Sequence, residues 1–116
     1  MTKVVVPQMK KQKEGLIIMI NSGAGLHVKA ERSIYTATKW AITGVTKALQ
    51  DELHKYGISV TGLYPRKMTP SMRVNGEKNN TWPALKISKL SEIIEYIISF
   101  DNDIVFTSIE VKHQNT

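Results

Sequence analysis

Residues Leu16 to Asn21 form a short run that is apolar at five consecutive positions before it ends in asparagine. Such a run is typical of a strand in a parallel sheet, because helices cover both faces of such a strand. A second strand is predicted from Ile58 to Tyr64, and Pro65 ends it. The chain between the two strands is long enough for a helix, so we expect a parallel sheet with a right-handed crossover.

Helical patterns precede and connect these strands. The segment from about Val4 to Lys13 is predicted to be the end of a helix, with Gly15 as its C-terminal stop. A long helix is predicted from about Ser33 to Tyr56, and Gly57 closes it. Small residues recur along this second helix at intervals of three and four positions, which would allow another helix to pack closely against it. They are Ala37, Ala41, Gly44 and Ala48.

The C-terminal part of the chain adds one more helix and one more strand. Arg66 to Lys86 is irregular and contains prolines, a glycine and two adjacent asparagines. Ser88 is predicted to cap a helix, and Ile104 to Val111 alternates as a last strand. The apolar face of the helix is predicted to be Leu90, Ile93, Ile94, Ile97 and Ile98. The order helix, strand, helix, strand, helix, strand predicts the α/β fold class with a parallel sheet.

Composition limits the classes of function. A hydrophobic fraction of 41% predicts a globular chain, and the lack of cysteine excludes disulfides and thiolate metal sites. His54 and His113 are too isolated to suggest a metal. No apolar stretch approaches the length needed to cross a membrane, so we expect no membrane partner, and a cytoplasmic location fits. The net charge is +6, but the lysines are scattered, so we expect no nucleic-acid partner.

The residues that carry chemistry are Ser22, Tyr35 and Lys39, in the pattern Ser-x12-Tyr-x3-Lys. Residues four apart share one face of a helix, so the phenol and the ammonium group can point into one site. A nearby ammonium favours the phenolate form, which makes Tyr35 a candidate general acid/base for a carbonyl or an alcohol. Ser22, at the end of the preceding strand, could hold the substrate oxygen beside it.

This set of motifs resembles the catalytic half of the short-chain dehydrogenase/reductase family. It comprises the apolar strand, Asn21-Ser22 with its glycine turn, Tyr35-x3-Lys39, the long helix, and Ile58-Ser59-Val60-Thr61-Gly62-Leu63-Tyr64-Pro65. The resemblance runs from about Val4 to His113. It implies a Rossmann-type fold, NAD or NADP as cofactor, and hydride transfer between the nicotinamide and a small-molecule carbonyl or alcohol substrate.

The resemblance also implies a role for each site residue. Ser22 orients the substrate carbonyl, Tyr35 donates or accepts the proton, and Lys39 tunes Tyr35 and holds the nicotinamide ribose. The implied cofactor-binding residues are Tyr35, Lys39, Pro65 and Thr69. Arg66 follows Pro65 where the family has glycine, and the spacing to Thr69 is one residue short. Glycine there lets the backbone approach the nicotinamide closely, so Arg66 puts the cofactor geometry in question.

Two features of the family have no counterpart in these residues. One is the glycine-rich turn that holds the dinucleotide pyrophosphate, and the other is the catalytic asparagine before the serine strand. Gly23-x-Gly25 could instead begin a dinucleotide fingerprint, but Val28 replaces its third glycine. We therefore expect residues 1–116 to be a single partial domain, the C-terminal part of a doubly wound parallel sheet without the N-terminal dinucleotide-binding half. We expect this chain alone to hold no cofactor and to show little or no activity.

A non-enzymatic role is the alternative hypothesis. By the resemblance, the first helix and the Tyr35 helix form the main subunit contact of the family, so a homo-oligomer is expected. The chain could then be an oligomerisation or interaction fragment, or a decaying gene product that still assembles. His27 could face a substrate or be a solvated loop histidine. Neither the substrate nor the choice between NAD and NADP can be read from these residues.

Overall fold

A computed structural model describes residues 2–27, 33–66, 85–101 and 103–114 of the chain. In these ranges helices and strands alternate as α1 (Thr2–Gln12), β1 (Gly15–Ile20), α2 (Ser33–Leu53), β2 (Ile58–Pro65), α3 (Ile87–Ile98) and β3 (Ser108–Val111). The strands form a parallel sheet in the order β1-β2-β3. This confirms the predicted α/β class and the order of elements. Within the same ranges, no helix combines the length and the apolar content that crossing a bilayer requires.

β2 is the central strand and sets the register of its neighbours. Ile20 at the end of β1 lies opposite Leu63, and Pro65 at the end of β2 lies opposite Val111 at the end of β3. Because the strands run in the same direction, their carboxyl ends lie along one edge of the sheet, where ligands of open α/β sheets bind. We call this the carboxyl edge, formed by the residues that follow the last residue of each strand.

The main core lies between the sheet and the helices α1 and α2. Its centre is formed by Leu53, Ile58 and Val60, which are at most 3% exposed. Met9 of α1 packs against this centre. On the opposite face of the sheet, Ile97 of α3 and Thr61 of β2 line a cavity of about 160 Å³. The helices therefore cover both faces of β2, as the apolar character of that strand predicts.

The long helix and its glycine stop are confirmed. α2 continues into a 3₁₀ turn, His54–Tyr56, and ends at Gly57. Gly57 has a φ of 73°, in the left-handed region that favours glycine. A Cβ at this position would also collide with the carbonyl oxygen of Lys13. Glycine therefore serves two purposes here. Its backbone conformation ends the helix, and its lack of a Cβ leaves room for the carbonyl group of Lys13.

The end of α1 differs from the prediction that Gly15 stops it. The helix ends at Gln12, and Lys13 takes the left-handed conformation with a φ of 56°. Gly15 is instead the first residue of β1. A Cβ at position 15 would lie 2.8 Å from the Sδ atom of Met9. Glycine suits this position because the close approach of α1 and β1 leaves no room for a Cβ.

The predicted cap of α3 is wrong. The helix begins at Ile87, and Lys86 is its N-cap residue without a side-chain hydrogen bond, so Ser88 lies inside the first turn. The backbone is still extended at Lys86, with a φ of −75° and a ψ of 140°, and this fixes where the helix starts. The predicted apolar face is correct at Ile97, which is buried, but Ile98 is 61% exposed.

β3 is shorter than predicted, because Ile104 to Thr107 do not pair as a strand. An aromatic cluster holds this segment against the end of α3. Phe106 packs edge-on against Phe100, with 4.9 Å between the ring centres, and Phe100 packs in the same way against Tyr96. Such edge-to-face pairs add to the stability gained by burial, and the chain joins the sheet at Ser108, just beyond Phe106.

Candidate active site

Ser22 lies at the carboxyl edge, just after β1. The N–H of Asn21 donates to the carbonyl oxygen of Leu63 at 2.8 Å, which extends the pairing of β1 with β2 to this point. Ser22 has an extended backbone, and its Oγ accepts a hydrogen bond from the N–H of Ala24 at 3.1 Å. Ser22 therefore caps the 3₁₀ turn Gly23–Gly25, which leads the chain away from the sheet.

Tyr35 reaches Ser22 from the first turn of α2. Its hydroxyl oxygen lies 3.4 Å from the Oγ of Ser22. Tyr35 is 46% exposed, so a substrate can reach the phenol. Lys39, one turn further along the helix, places its Nζ 5.5 Å from the centre of the Tyr35 ring. The structure thus brings together the three side chains that the sequence spacing predicts to be close.

A buried polar network holds this part of α2. Asn21 is 6% exposed, and its Nδ2 donates to the backbone oxygen of Lys39 and to the Oγ1 of Thr43, each at 3.0 Å. Thr43 donates to the carbonyl oxygen of Gly25 at 2.8 Å. A Cβ at Gly25 would lie 2.5 Å from the Nδ2 of Asn21, so only glycine fits there. The network joins the end of β1, the glycine turn and the helix that carries Tyr35.

Neither Asn21 nor Thr43 is singled out as a site residue by the sequence patterns. The signal that could have found them is a polar residue at a position that the pattern assigns to the interior. Asn21 ends an apolar strand, and Thr43 follows Lys39 by one helical turn on the same face. The Oδ1 of Asn21 has no hydrogen-bond partner among the residues described.

The glycine turn is closed to phosphate. The N–H of Ala24 donates to the Oγ of Ser22, and the N–H of Gly25 donates to its carbonyl oxygen at 2.9 Å. The N–H groups of Leu26 and His27 both donate to the carbonyl oxygen of Gly23 at 3.0 Å. A phosphate-binding turn needs N–H groups that point at the ligand. These four are bound within the turn, which argues against the dinucleotide fingerprint here.

Comparison with known proteins places the chain in a family. Residues 1–81 match the family model described as short chain dehydrogenase. The chain belongs to the short-chain dehydrogenase/reductase family. It is similar to the sorbitol-6-phosphate 2-dehydrogenase of Klebsiella pneumoniae, with 31% identity over 84% of this chain and 44% of the relative. The chain therefore spans less than half the length of that relative.

Solved structures share the fold. The serine dehydrogenase of Escherichia coli is 24% identical, with a TM-score of 0.83 over 100% of this chain and 48% of that chain. A closed form of serine dehydrogenase complexed with NADP+ is 24% identical, with a TM-score of 0.86 over 100% of this chain and 51% of that chain. These likenesses confirm the predicted Rossmann-type fold of this short-chain dehydrogenase/reductase family member.

Of the two implied cofactor-binding residues at the end of β2, the structure describes only one. Pro65 is the buried last residue of β2, whereas Thr69 lies outside the described residues. Arg66 donates its backbone N–H to the carbonyl oxygen of Val111 at 2.8 Å. Its side chain crosses Gly23, where a Cβ would lie 2.5 Å from the Cγ of Arg66. Arg66 therefore occupies the space that the glycine at position 23 leaves open.

Two of the described side chains have the chemistry that the nicotinamide end of NAD or NADP requires. Tyr35 and Lys39 present a phenol and an ammonium group at the carboxyl edge, and both groups suit the ribose hydroxyls of a nucleoside. The turn after β1 cannot hold the pyrophosphate, because its N–H groups are bound internally. In the described ranges, no three side chains of His, Cys, Asp or Glu are grouped so as to hold a metal ion.

His27 is paired with Glu110 of β3. The Nε2 of His27 lies 2.5 Å from the Oε2 of Glu110, and the two side chains are 49% and 33% exposed. The pair joins the loop after the glycine turn to the third strand. His27 is thus not fully solvated, and its Nε2 is already bound to a carboxylate. The partners are 83 positions apart, so no local pattern in the sequence could predict the contact.

Proposed function

We propose that the chain provides the catalytic site of an NAD(P)-dependent oxidoreductase of the short-chain dehydrogenase/reductase type. Its substrate is a small molecule with a carbonyl or an alcohol group. The proposal rests on the 3.4 Å contact between the hydroxyl oxygens of Tyr35 and Ser22, with the ammonium of Lys39 above the Tyr35 ring. Family membership supports this reaction class, and the NADP+ complex of a structural relative supports the cofactor class.

Tyr35 is the proposed proton carrier. In the reduction its phenolic oxygen donates a proton to the substrate carbonyl oxygen, and in the oxidation the phenolate accepts the proton of the alcohol. The Oγ of Ser22 hydrogen-bonds the same substrate oxygen and holds it beside the phenol. Lys39 places its ammonium 5.5 Å from the centre of the Tyr35 ring and, with Tyr35, holds the nicotinamide ribose. A bound nicotinamide supplies or accepts the hydride.

The same proposal covers the domain that carries the site, the location of the protein and its oligomeric state. Residues 1–116 act as one partial domain, in a cytoplasmic protein that forms homo-oligomers. The names of two relatives, sorbitol-6-phosphate 2-dehydrogenase and serine dehydrogenase, indicate small polar alcohols as their substrates. This supports a small-molecule substrate for the present site.

Nicotinamide turnover tests the proposal. The chain is assayed by itself and joined to the N-terminal half of a full-length relative, because it spans less than half of such a relative. NADH and NADPH are each supplied with a panel of small aldehydes and ketones. We expect at least one form to oxidise the nicotinamide only when a carbonyl is present and to release the matching alcohol. Folded proteins without turnover in either form would refute the proposed activity.

Assembly through α2 is a second candidate function. The small residues Ala37, Ala41, Gly44 and Ala48 are all exposed on this helix. A Cβ at Gly44 would meet no atom within 4 Å. Such a face lets a second helix approach closely. This role is compatible with catalysis, because the phenol of Tyr35 reaches Ser22 and the carboxyl edge.

A further inference from the structure

Arg66 is held from two sides at the carboxyl edge. Its backbone N–H is bound to the carbonyl oxygen of Val111 in β3. Its stem lies on the glycine turn, where a Cβ at Gly23 would be 2.5 Å from its Cγ and 3.3 Å from its Nε. The side chain is partly buried. The Arg66 backbone is thus bound to β3, and its stem packs over the glycine turn.

The charge of Arg66 is not neutralised by the residues that the structure describes. Its guanidinium forms no ion pair or hydrogen bond with any of them. The carboxylate of Glu110, near the end of β3, is already bound to His27. Lys39 also has no ion-pair partner in the described ranges. Two cations without counterions at one edge raise the local concentration of anions.

Arg66 is next to the hydroxyl pair of the site. Gly23, which its stem contacts, directly follows Ser22, and the Oγ of Ser22 lies 3.4 Å from the phenolic oxygen of Tyr35. Ser22 and Gly23 both belong to the turn after β1, so the Arg66 stem and the hydroxyl pair lie at the same turn. Arginine presents several N–H donors in a planar fork, which binds a carboxylate or a phosphate with two parallel hydrogen bonds.

We propose that Arg66 selects substrates that carry an anionic group, a carboxylate or a phosphate, beside the carbonyl or alcohol group held by Ser22 and Tyr35. The placing of the reacting oxygen rests on the proposed function. The anion site itself rests only on the geometry and charge of Arg66. Arg66 is thus a specificity residue.

Anion titration of the whole chain tests this site without any cofactor. Inorganic phosphate and acetate are titrated separately into 15N-labelled protein at constant ionic strength, and the amide signal of Gly23 is followed by NMR. Arg66→Met keeps the stem and removes the charge, and Arg66→Lys keeps the charge without the fork. Lys89→Met is the matched control, because it removes one charge from the exposed face of α3. The phosphate and acetate arms show which anion the site prefers.

We expect saturable binding of at least one anion. The Kd should rise about tenfold in Arg66→Met, because a charge-assisted hydrogen bond is lost. It should rise less in Arg66→Lys and should not change in Lys89→Met. Shifts that do not saturate, or equal Kd values for the parent and Arg66→Met, would overturn the proposal. If Arg66→Met does not fold, Arg66→Gln is compared in its place under the same criterion.

A second measurement separates this inference from the proposed function. In a form that turns over nicotinamide, a keto acid is compared with its neutral amide. Arg66→Met should lower the ratio of kcat/KM for the acid to kcat/KM for the amide about tenfold. Anion binding at Arg66 without turnover in any form would count against the proposed function alone. Turnover with no preference for the acid would count against Arg66 alone.

Discussion

At the scale of single residues, Asn21 and Thr43 hold α2 against the glycine turn. The hydroxyl of Thr43 donates to the carbonyl oxygen of Gly25 and accepts from the Nδ2 of Asn21. Asn21 also binds the backbone oxygen of Lys39. Because these bonds fix the position of the helix along the carboxyl edge, they determine where the phenol and the ammonium stand relative to Ser22.

Thr43→Val should lower the free energy of unfolding by about 1–3 kcal/mol, because valine keeps the volume but leaves buried polar groups without a partner. Thr38→Val is the matched control. Like Thr43, Thr38 donates its hydroxyl to the carbonyl oxygen one helical turn back, which for Thr38 is that of Ile34 at 2.9 Å. Thr38 is exposed, however. Its replacement should change the stability by less than about 0.5 kcal/mol. Urea unfolding measures both losses, and equal losses would disprove the role of the network.

Two glycines should respond in opposite directions to alanine. A Cβ at Gly25 would lie 2.5 Å from the Nδ2 of Asn21 and 2.7 Å from the Oγ1 of Thr43, so Gly25→Ala should cost about 1–3 kcal/mol of stability. A Cβ at Gly44 meets nothing within 4 Å. Gly44→Ala should stabilise the monomer by up to about 1 kcal/mol, because alanine favours the helix. Thermal unfolding of dilute protein distinguishes the two, and changes of the same sign would be inconsistent with this account.

At the scale of elements, the inner face of α2 combines buried threonines with the core residue Leu53, and several apolar residues lie exposed on its outer side. Thr43 and Thr46 are at most 2% exposed and face the sheet. Ile34, Trp40 and Val45 are 84%, 43% and 51% exposed, on the same helix as the small residues. We propose that this outer side, together with the small residues, is where α2 meets a second copy of the chain.

Self-association through α2 should depend on Ala41. We expect dimers or larger species at micromolar concentration, measured by light scattering after size exclusion. Ala41→Glu should shift a specific dimer to monomer, because it buries a charge in the helix contact. Ser91→Glu, which adds the same charge on the exposed side of α3, should leave the dimer intact. Ala41→Glu should leave association through the outer edge of β1 intact, since that edge pairs by backbone. A monomeric parent with cooperative unfolding would rule out this prediction.

At the scale of the whole molecule, the parallel sheet could be predicted because apolar runs alternate with helical patterns along the chain. The meeting of Ser22, Tyr35 and Lys39 could also be predicted, since two of them share a helix and the third ends the strand before it. The pairing of His27 with Glu110, 83 positions apart, could not be predicted. This contact depends on where the loop after β1 lies relative to β3. The sheet register, rather than the local sequence, sets that position.

The role of Tyr35 in proton transfer is tested most directly by removing its hydroxyl group. In the form of the protein that turns over nicotinamide, kcat is measured for the parent, for Tyr35→Phe and for the control Tyr96→Phe. Tyr96 is 60% exposed and packs its ring against Phe100. We predict that Tyr35→Phe lowers kcat at least about a hundredfold, while Tyr96→Phe stays close to the parent. A Tyr35→Phe protein that keeps most of the parental kcat would show that Tyr35 is not the proton carrier.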